Sequence, residues 1–258
     1  MIESAQAFGI DIGGSGIKGA PVDLGEGRFA CERLRIPTPE EATPQNVAAV
    51  VKQILDHYEV EDGTPIGIAF PAPVKPGRAL GFMANLDQSW LGVDVNELMC
   101  RETGREVHVV NDADAAGLAE AAYGAAKGNK GLVIATTLGT GIGTALIMNG
   151  QLVPCTELGH LLLEGKGDAE KYAADSARTR DELSWKKWGK RLTKYYRLLE
   201  HYFSPDVFVV GGGVSKKHDK FFPYIQVDTP IVPAALLNDA GIVGAAYYAT
   251  TMMQNREH

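Results

Sequence analysis

The chain has 258 residues, 45% of them hydrophobic and 22% charged, with a net charge of −7. That length can bury a substantial core in one large or two modest domains, and the acidic balance argues against nucleic acid as the main partner. No apolar run approaches the roughly 20 residues of a membrane span, and Met1-Ile2-Glu3-Ser4 lacks the basic and then apolar build of a signal peptide.

The three cysteines, Cys31, Cys100 and Cys155, are odd in number and widely spaced. They form neither a disulfide framework nor a CxxC metal site, so a reducing cytoplasm is the expectation.

In chain order, Ala7 to Ile12 reads as a strand closed by a glycine turn, with Ile17 to Asp23 as its hairpin partner. Asp11 stands at the strand end beside Gly13, Gly14, Ser15, Gly16 and Lys18. Backbone N–H groups of such a turn can nest phosphate oxygens, and a nearby carboxylate can hold Mg²⁺ through water. Val47 to His57 has helical spacing, and Pro65 to Phe70 reads as an apolar strand. Val107 to Val110 is a buried strand leading into a helix over Ala113 to Ala126. Asp112 and Asp114 fall at its start, where Asp is an ordinary N-cap. The other reading makes Asp112 a general base whose ionised form the helix N-terminus favours. A weak base suffices for phosphoryl transfer, which is mostly positioning and charge neutralisation.

Gly131 to Thr137 and Gly143 to Met148 are strands around a second turn that contains Gly139, Thr140 and Gly141, with Gly143 just after it. This segment lines up without a gap on the first hairpin: Gly14-Ser15-Gly16-Ile17 falls on Gly139-Thr140-Gly141-Ile142, and Gly25 falls on Gly150. A match in phase over most of two strands points to duplication, hence to two similar domains that each offer a glycine hairpin. Neither turn fits the P-loop or the strand–GxGxxG–helix fingerprint. In Thr156-Glu157-Leu158-Gly159-His160 a carboxylate and an imidazole stand three apart, a pairing suited to vicinal sugar hydroxyls. Zinc would need Cys or His partners at ligand spacing, and Cys155 is the only one near, so no zinc is expected.

From Leu183 to Phe203, Trp185, Trp188, Leu192, Tyr195, Leu199 and Tyr202 recur in steps of three and four, the apolar face of a long helix. Opposite lie Lys186, Lys187, Lys190, Arg191, Lys194 and Arg197, and Lys216, Lys217 and Lys220 follow. Such a face is often merely solvated; in an acidic chain it also suits a long polyanion, captured electrostatically. Val207 to Val210 is a short strand ending in Gly211, Gly212 and Gly213, and Gly241 to Met252 is helical in character.

Phe8 to Gly19, Asn111 to Ala116, Leu138 to Gly143, Glu157 to His160 and Val209 to Ser215, in this order and spacing, resemble the ROK family of sugar kinases. The resemblance implies an α/β chain with the actin-like, ribonuclease-H-like two-domain fold and a cleft between the domains. The division expected is 1–110 with 246–258 as a small domain and 111–245 as a large one. By analogy Asp112 is the catalytic base, and Asn85, Asn111, Glu157, His160 and Glu170 hold sugar hydroxyls. Gly211 to Gly213 resemble the adenosine-contacting motif of the superfamily. Many ROK kinases carry a CxCGxxGC zinc cluster after the Gly-His pair; here Leu161 to Asp168 contains no cysteine. That departure resembles the branch of polyphosphate glucokinases. The first strand begins by Ala7, so no helix-turn-helix of the ROK repressors is expected.

The resulting expectation is a cytoplasmic, homodimeric enzyme that moves the terminal phosphoryl group of inorganic polyphosphate to the 6-hydroxyl of glucose with Mg²⁺. It excludes nucleic acid and membrane as partners. Gly13, Gly14, Ser15, Gly16, Lys18, Gly139, Thr140, Gly141 and Gly143 would take the phosphoryl group, and Lys186, Lys190 and Lys194 the polyphosphate tail. ATP stays open as a donor and mannose as an acceptor. An ATP-dependent hexokinase of other sugar preference and a non-catalytic sugar sensor are the alternatives.

Overall fold

The computed structural model describes residues 7–74 and 87–255. The chain divides into two compact units, Met1–Ala119 with Asp239–His258, and Glu120–Asn238.

The first unit opens with strands β1 (Ala7–Gly13) and β2 (Gly16–Asp23), followed by the short β3 (Arg28–Phe29) and β4 (Leu34–Ile36). Helix α1 (Pro44–His57) starts where Thr43 accepts from the Asn46 amide and proline occupies the first turn, whose N–H would be unpaired anyway. Strand β5 (Ile66–Phe70) is buried along its length, as a parallel central strand should be. Helix α2 (Val95–Thr103), not foreseen in the sequence, is capped by Asp94 and closed by Gly104 at φ +69°. Strand β6 (His108–Asn111) then feeds helix α3 (Asp112–Ala122).

The first sheet runs β3-β2-β1-β5-β6, antiparallel from β3 to β1 and parallel from β1 to β6. The second unit repeats the plan. Strands β7 (Leu132–Leu138), β8 (Ile142–Met148) and β9 (Gln151–Val153) form an antiparallel meander, and β12 (Val207–Gly211) and β13 (Ile231–Pro233) add in parallel. The order β9-β8-β7-β12-β13 mirrors that of the first sheet. Between β9 and β12 lie a small hairpin of β10 (Leu162–Leu163) and β11 (Gly167–Asp168), then helices α4 (Ala169–Ala173), α5 (Asp175–Arg180) and α6 (Trp185–Phe203).

The two glycine hairpins differ in one respect. Gly13 pairs with Gly16, so the first turns over Gly14 and Ser15. Leu138 pairs with Ile142, so the second turns over Gly139, Thr140 and Gly141. The gapless sequence match puts Ile12 on Thr137, yet Ile142 pairs one residue further on, because the second loop is longer by one.

Each unit has its own core. Phe8, Ile10, Val51, Ile54 and Trp90 lie in the first, and Ile134, Leu138, Trp188, Leu192 and Phe208 in the second. On α6 the buried residues are Trp188, Gly189, Leu192, Tyr195, Tyr196 and Leu199. Tyr202, expected on that face, is 66% exposed, while Phe203 beside it packs on the second core. Helix α3 ends four residues before its expected limit. There the buried Glu120 folds back to accept from Ala125, Ala235 and Leu236. The C-terminal helix α7 (Ala240–Gln254) lies flush on the first sheet. A methyl group at Gly67 would strike the Ala245 carbonyl, and one at Gly244 would strike the Ala115 carbonyl.

Candidate active site

In the first unit, Asp11 lies at the C-terminal half of β1, directly opposite Lys18 on β2. Lys18 Nζ donates to Asp11 Oδ2 at 3.1 Å. The cation expected on phosphate is thus engaged with the carboxylate expected near the metal. Arg35, unforeseen, sits over the turn: its Nη2 donates to the Ser15 carbonyl at 2.5 Å, and Thr38 Oγ1 donates to the Gly13 carbonyl at 2.5 Å. Arg35 comes opposite Lys18 through the β2–β4 register, which no local motif announces. Asp11 is half-buried and is a hard oxygen donor with one oxygen on Lys18. That fits a cation that keeps its own waters and takes few carboxylates.

At the start of α3, Asn111 Oδ1 accepts from the Ala113 and Asp114 amides at 2.9 and 3.2 Å. Asn111 therefore makes the capping bonds, so the reading of Asp112 or Asp114 as cap is corrected. Asp114 is buried, whereas Asp112, the first helical residue, is exposed. Its Oδ1 accepts from the Ala113 amide at 2.8 Å. Asn85 lies outside the described residues.

In the second unit, the structure brings Glu170 onto the glycine turn. Its Oε2 accepts from the Ile142 amide at 2.9 Å, and a side chain on Gly141 would collide with it. Thr140 is exposed at the tip, while Ser176 ties the turn to α5 by donating from Oγ to the Thr140 carbonyl at 2.6 Å and from its amide to Gly139. Thr144, buried on β8, donates to the Thr156 carbonyl and accepts from the Leu158 amide at 3.0 Å. It thereby pins the segment that carries Glu157 and His160.

His160 Nε2 stands 4.0 Å from Glu157 Oε2, and Nδ1 stands 3.0 Å from Asp168 Oδ2. Burial pushes the Glu157 carboxyl above its usual range; His160 opposes this and Glu170 adds to it. The hydrogen bond to Asp168 pushes His160 up against the effect of burial, and the charges of Glu170, Asp168 and Glu157 add to that. Burial works against Asp168, yet hydrogen bonds from His160 and the Lys171 amide hold its carboxyl low. Sequence reasoning passed over Asp168, although Asp three residues before Lys171 at a helix start is a legible N-cap signal.

Gly211 ends β12, and Gly212 (φ +81°) and Gly213 are exposed. Gly212 approaches the Leu138 backbone too closely for any side chain. Lys186, Lys187, Lys190 and Lys194 are exposed on α6. Folding brings a second group to them. Phe221 stacks on Trp185 with ring centroids 6.1 Å apart, and Lys220 Nζ lies 6.0 Å from the Trp185 ring. Lys220 thus adjoins the start of α6, and Lys216 and Lys217 are exposed just before Lys220 in the chain. Arg191 is held apart from this use, bound to Asp181 at 2.6 Å and to the Tyr172 carbonyl. Among the described residues no three His, Cys, Asp or Glu side chains gather as a metal cluster, and no helix is long and apolar enough to cross a membrane.

The profile of the ROK family matches residues 7–176. The chain is 45% identical to a polyphosphate glucokinase of Mycobacterium tuberculosis, over 93% of this chain and 89% of the relative. It superposes on the inorganic polyphosphate/ATP-glucomannokinase of Arthrobacter sp. strain KM with a TM-score of 0.88 and 48% identity, covering 96% of this chain and all of the other. A ROK family glucokinase of Streptomyces griseus, solved with glucose and AMPPNP, shares the fold at a TM-score of 0.77 and 24% identity, over 95% and 99% of the two chains.

Proposed function

The chain belongs to the ROK family and has the actin-like sugar-kinase fold, and from that premise we propose that it transfers the terminal phosphoryl group of inorganic polyphosphate to the 6-hydroxyl of glucose. The observation that carries the reading is at the start of α3, where Asn111 makes the capping bonds and Asp112 stands exposed. A carboxylate so placed can take a hydroxyl proton.

Asn85, Asn111, Glu157, His160 and Glu170 bind and orient the sugar in this reading. Asp112 accepts the O6 proton as O6 attacks the terminal phosphorus, and the bond to the rest of the polyphosphate breaks, leaving that chain one phosphate shorter. Gly13 to Gly16 and Gly139 to Gly143 receive the phosphoryl oxygens. Asp11 would hold Mg²⁺ through water, and that ion would supply charge neutralisation to the phosphoryl group. Lys18, already on Asp11, sets the carboxylate's orientation.

Support for polyphosphate as donor comes from the exposed lysines of α6, with Lys220 beside Trp185 at its start, and from the likeness to polyphosphate glucokinases. ATP is the second donor, favoured by the exposed Gly212 and Gly213 after β12. A cytoplasmic homodimer completes the reading, and light scattering reads its oligomeric part. The test is a glucose 6-phosphate assay with Mg²⁺, run in parallel with polyphosphate and with ATP, on glucose and on mannose. Faster turnover with polyphosphate upholds the donor, activity with ATP alone removes it, and no hexose phosphorylation ends the enzyme reading in favour of a sugar sensor.

A further inference from the structure

We infer that Asp168 is a positioning residue of the sugar site: its carboxylate holds Nδ1 of His160 and the first turn of α4 together, so that His160 Nε2 and the Glu170 carboxylate meet the sugar from one frame. This rests on the proposed reading of that site.

Asp168 reaches His160 by way of a small hairpin. β10 and β11 pair Leu162 with Asp168, and the Ala169 amide donates to the Leu161 carbonyl at 2.9 Å, so the chain returns to its start within eight residues. There Oδ2 takes His160 Nδ1 at 3.0 Å while Oδ1 accepts from the Lys171 amide at 3.2 Å, capping α4. Glu170 stands in that same first turn with its Oε2 on the Ile142 amide. Asp168 is 24% exposed and His160 is 53% exposed, so the carboxylate lies behind the ring.

A carboxylate on Nδ1 selects the Nδ1–H form of a neutral imidazole. Nε2 then carries a lone pair when His160 is neutral and an N–H when it is charged. The sugar hydroxyl must donate to the first and accept from the second. Glu157, 4.0 Å from Nε2, and Glu170 also face the ring. α4 further carries Lys171 and Tyr172, whereas β8, the strand packed on this turn, brings no titratable side chain. The three carboxylates favour the charged ring. They thus favour the form in which Nε2 offers an N–H to the sugar, beside the acceptor oxygens of Glu157.

The test uses the full ¹⁵N-labelled chain, with the His160 resonance assigned through His160→Gln. The expected result is a neutral form protonated on Nδ1 and a titration midpoint above the ordinary imidazole value of about 6.5. Asp168→Asn keeps a good N-cap but removes the charge. It should move the midpoint down and raise the glucose KM about tenfold, the loss of one charge-assisted hydrogen bond, with kcat within about threefold. The pH at which KM begins to rise should move down with the His160 midpoint. An Nε2–H form in the unaltered chain, or an Asp168→Asn enzyme with unchanged His160 titration and glucose KM, overturns the inference. If that variant does not fold, the ring form in the unaltered chain decides. A chain that phosphorylates no hexose overturns the proposed function instead, and the ring form still decides whether Asp168 holds His160.

Discussion

Asp112 and Glu157 are both carboxylates, and their surroundings suit them to different work. Asp112 stands exposed at the start of α3 with its Oδ1 on the next amide, where an incoming hydroxyl can reach it. Asp112→Asn should lower kcat by about 10²–10⁴-fold, the usual yield of a positioned base, and leave the glucose KM nearly unchanged. A coupled glucose 6-phosphate assay separates the two parameters, and a variant of full activity would remove Asp112 from the chemistry. Glu157 is raised mainly by burial. A carboxyl with a raised pKa loses its acceptor form as pH falls through that pKa, so glucose KM should rise on the acid side. Glu157→Gln should weaken glucose at neutral pH and flatten this acid limb; a limb kept intact assigns it to another group.

Individual elements meet through a few close contacts that tolerate little change. Glu120, at the end of α3, accepts from three backbone amides, two of them in the segment after β13. With Glu120→Ala those part-buried amides lose their side-chain acceptor, so a stability loss of ~1–3 kcal/mol is expected, read as a lowered midpoint in urea. Helix α7 depends instead on missing atoms. Gly244→Val would drive a branched side chain into the Ala115 carbonyl, at a cost of ~2–3 kcal/mol from overpacking. A thermal melt matching that of the unaltered chain would show that α7 shifts without penalty. The two hairpins make the same point at a turn. Their glycines are alike in sequence, but the loop over Gly139 to Gly141 has one more residue and holds Glu170 against Ile142.

Across the whole chain the charge is uneven. A net charge of −7 coexists with exposed lysines on α6 and at residues 216–220, and Lys220 of the second group lies over Trp185 at the start of α6. A field of this kind acts on a long polyanion at every phosphate it spans and is screened by salt. The KM for polyphosphate should therefore rise several-fold when salt goes from about 50 to about 200 mM, and the KM for ATP should rise less. Lys190→Gln with Lys194→Gln should raise the polyphosphate KM and flatten its salt dependence while the glucose KM holds. If both donors respond equally, these lysines are ordinary solvated surface. The order shared by the two sheets, β3-β2-β1-β5-β6 and β9-β8-β7-β12-β13, gives the duplication heard in the glycine turns a basis at the level of topology.

The sequence by itself determined what local pattern controls: the two glycine hairpins, the strand running into α3, the amphipathic α6, and through the motifs the family and the residue types of the site. Those features depend on spacing along the chain, and spacing is what a sequence displays. Tertiary structure alone decided who partners whom across long separations. Arg35 reaches the first turn through strand register, Glu170 settles on the second turn 28 residues away, and Glu120 binds amides 115 and 116 residues on. Such pairings follow from how sheets, helices and short hairpins pack, so no local signal announces them. The cap of α3 belongs to the same class: Asn111, Asp112 and Asp114 all suit the position by type, and only the backbone geometry gave it to Asn111.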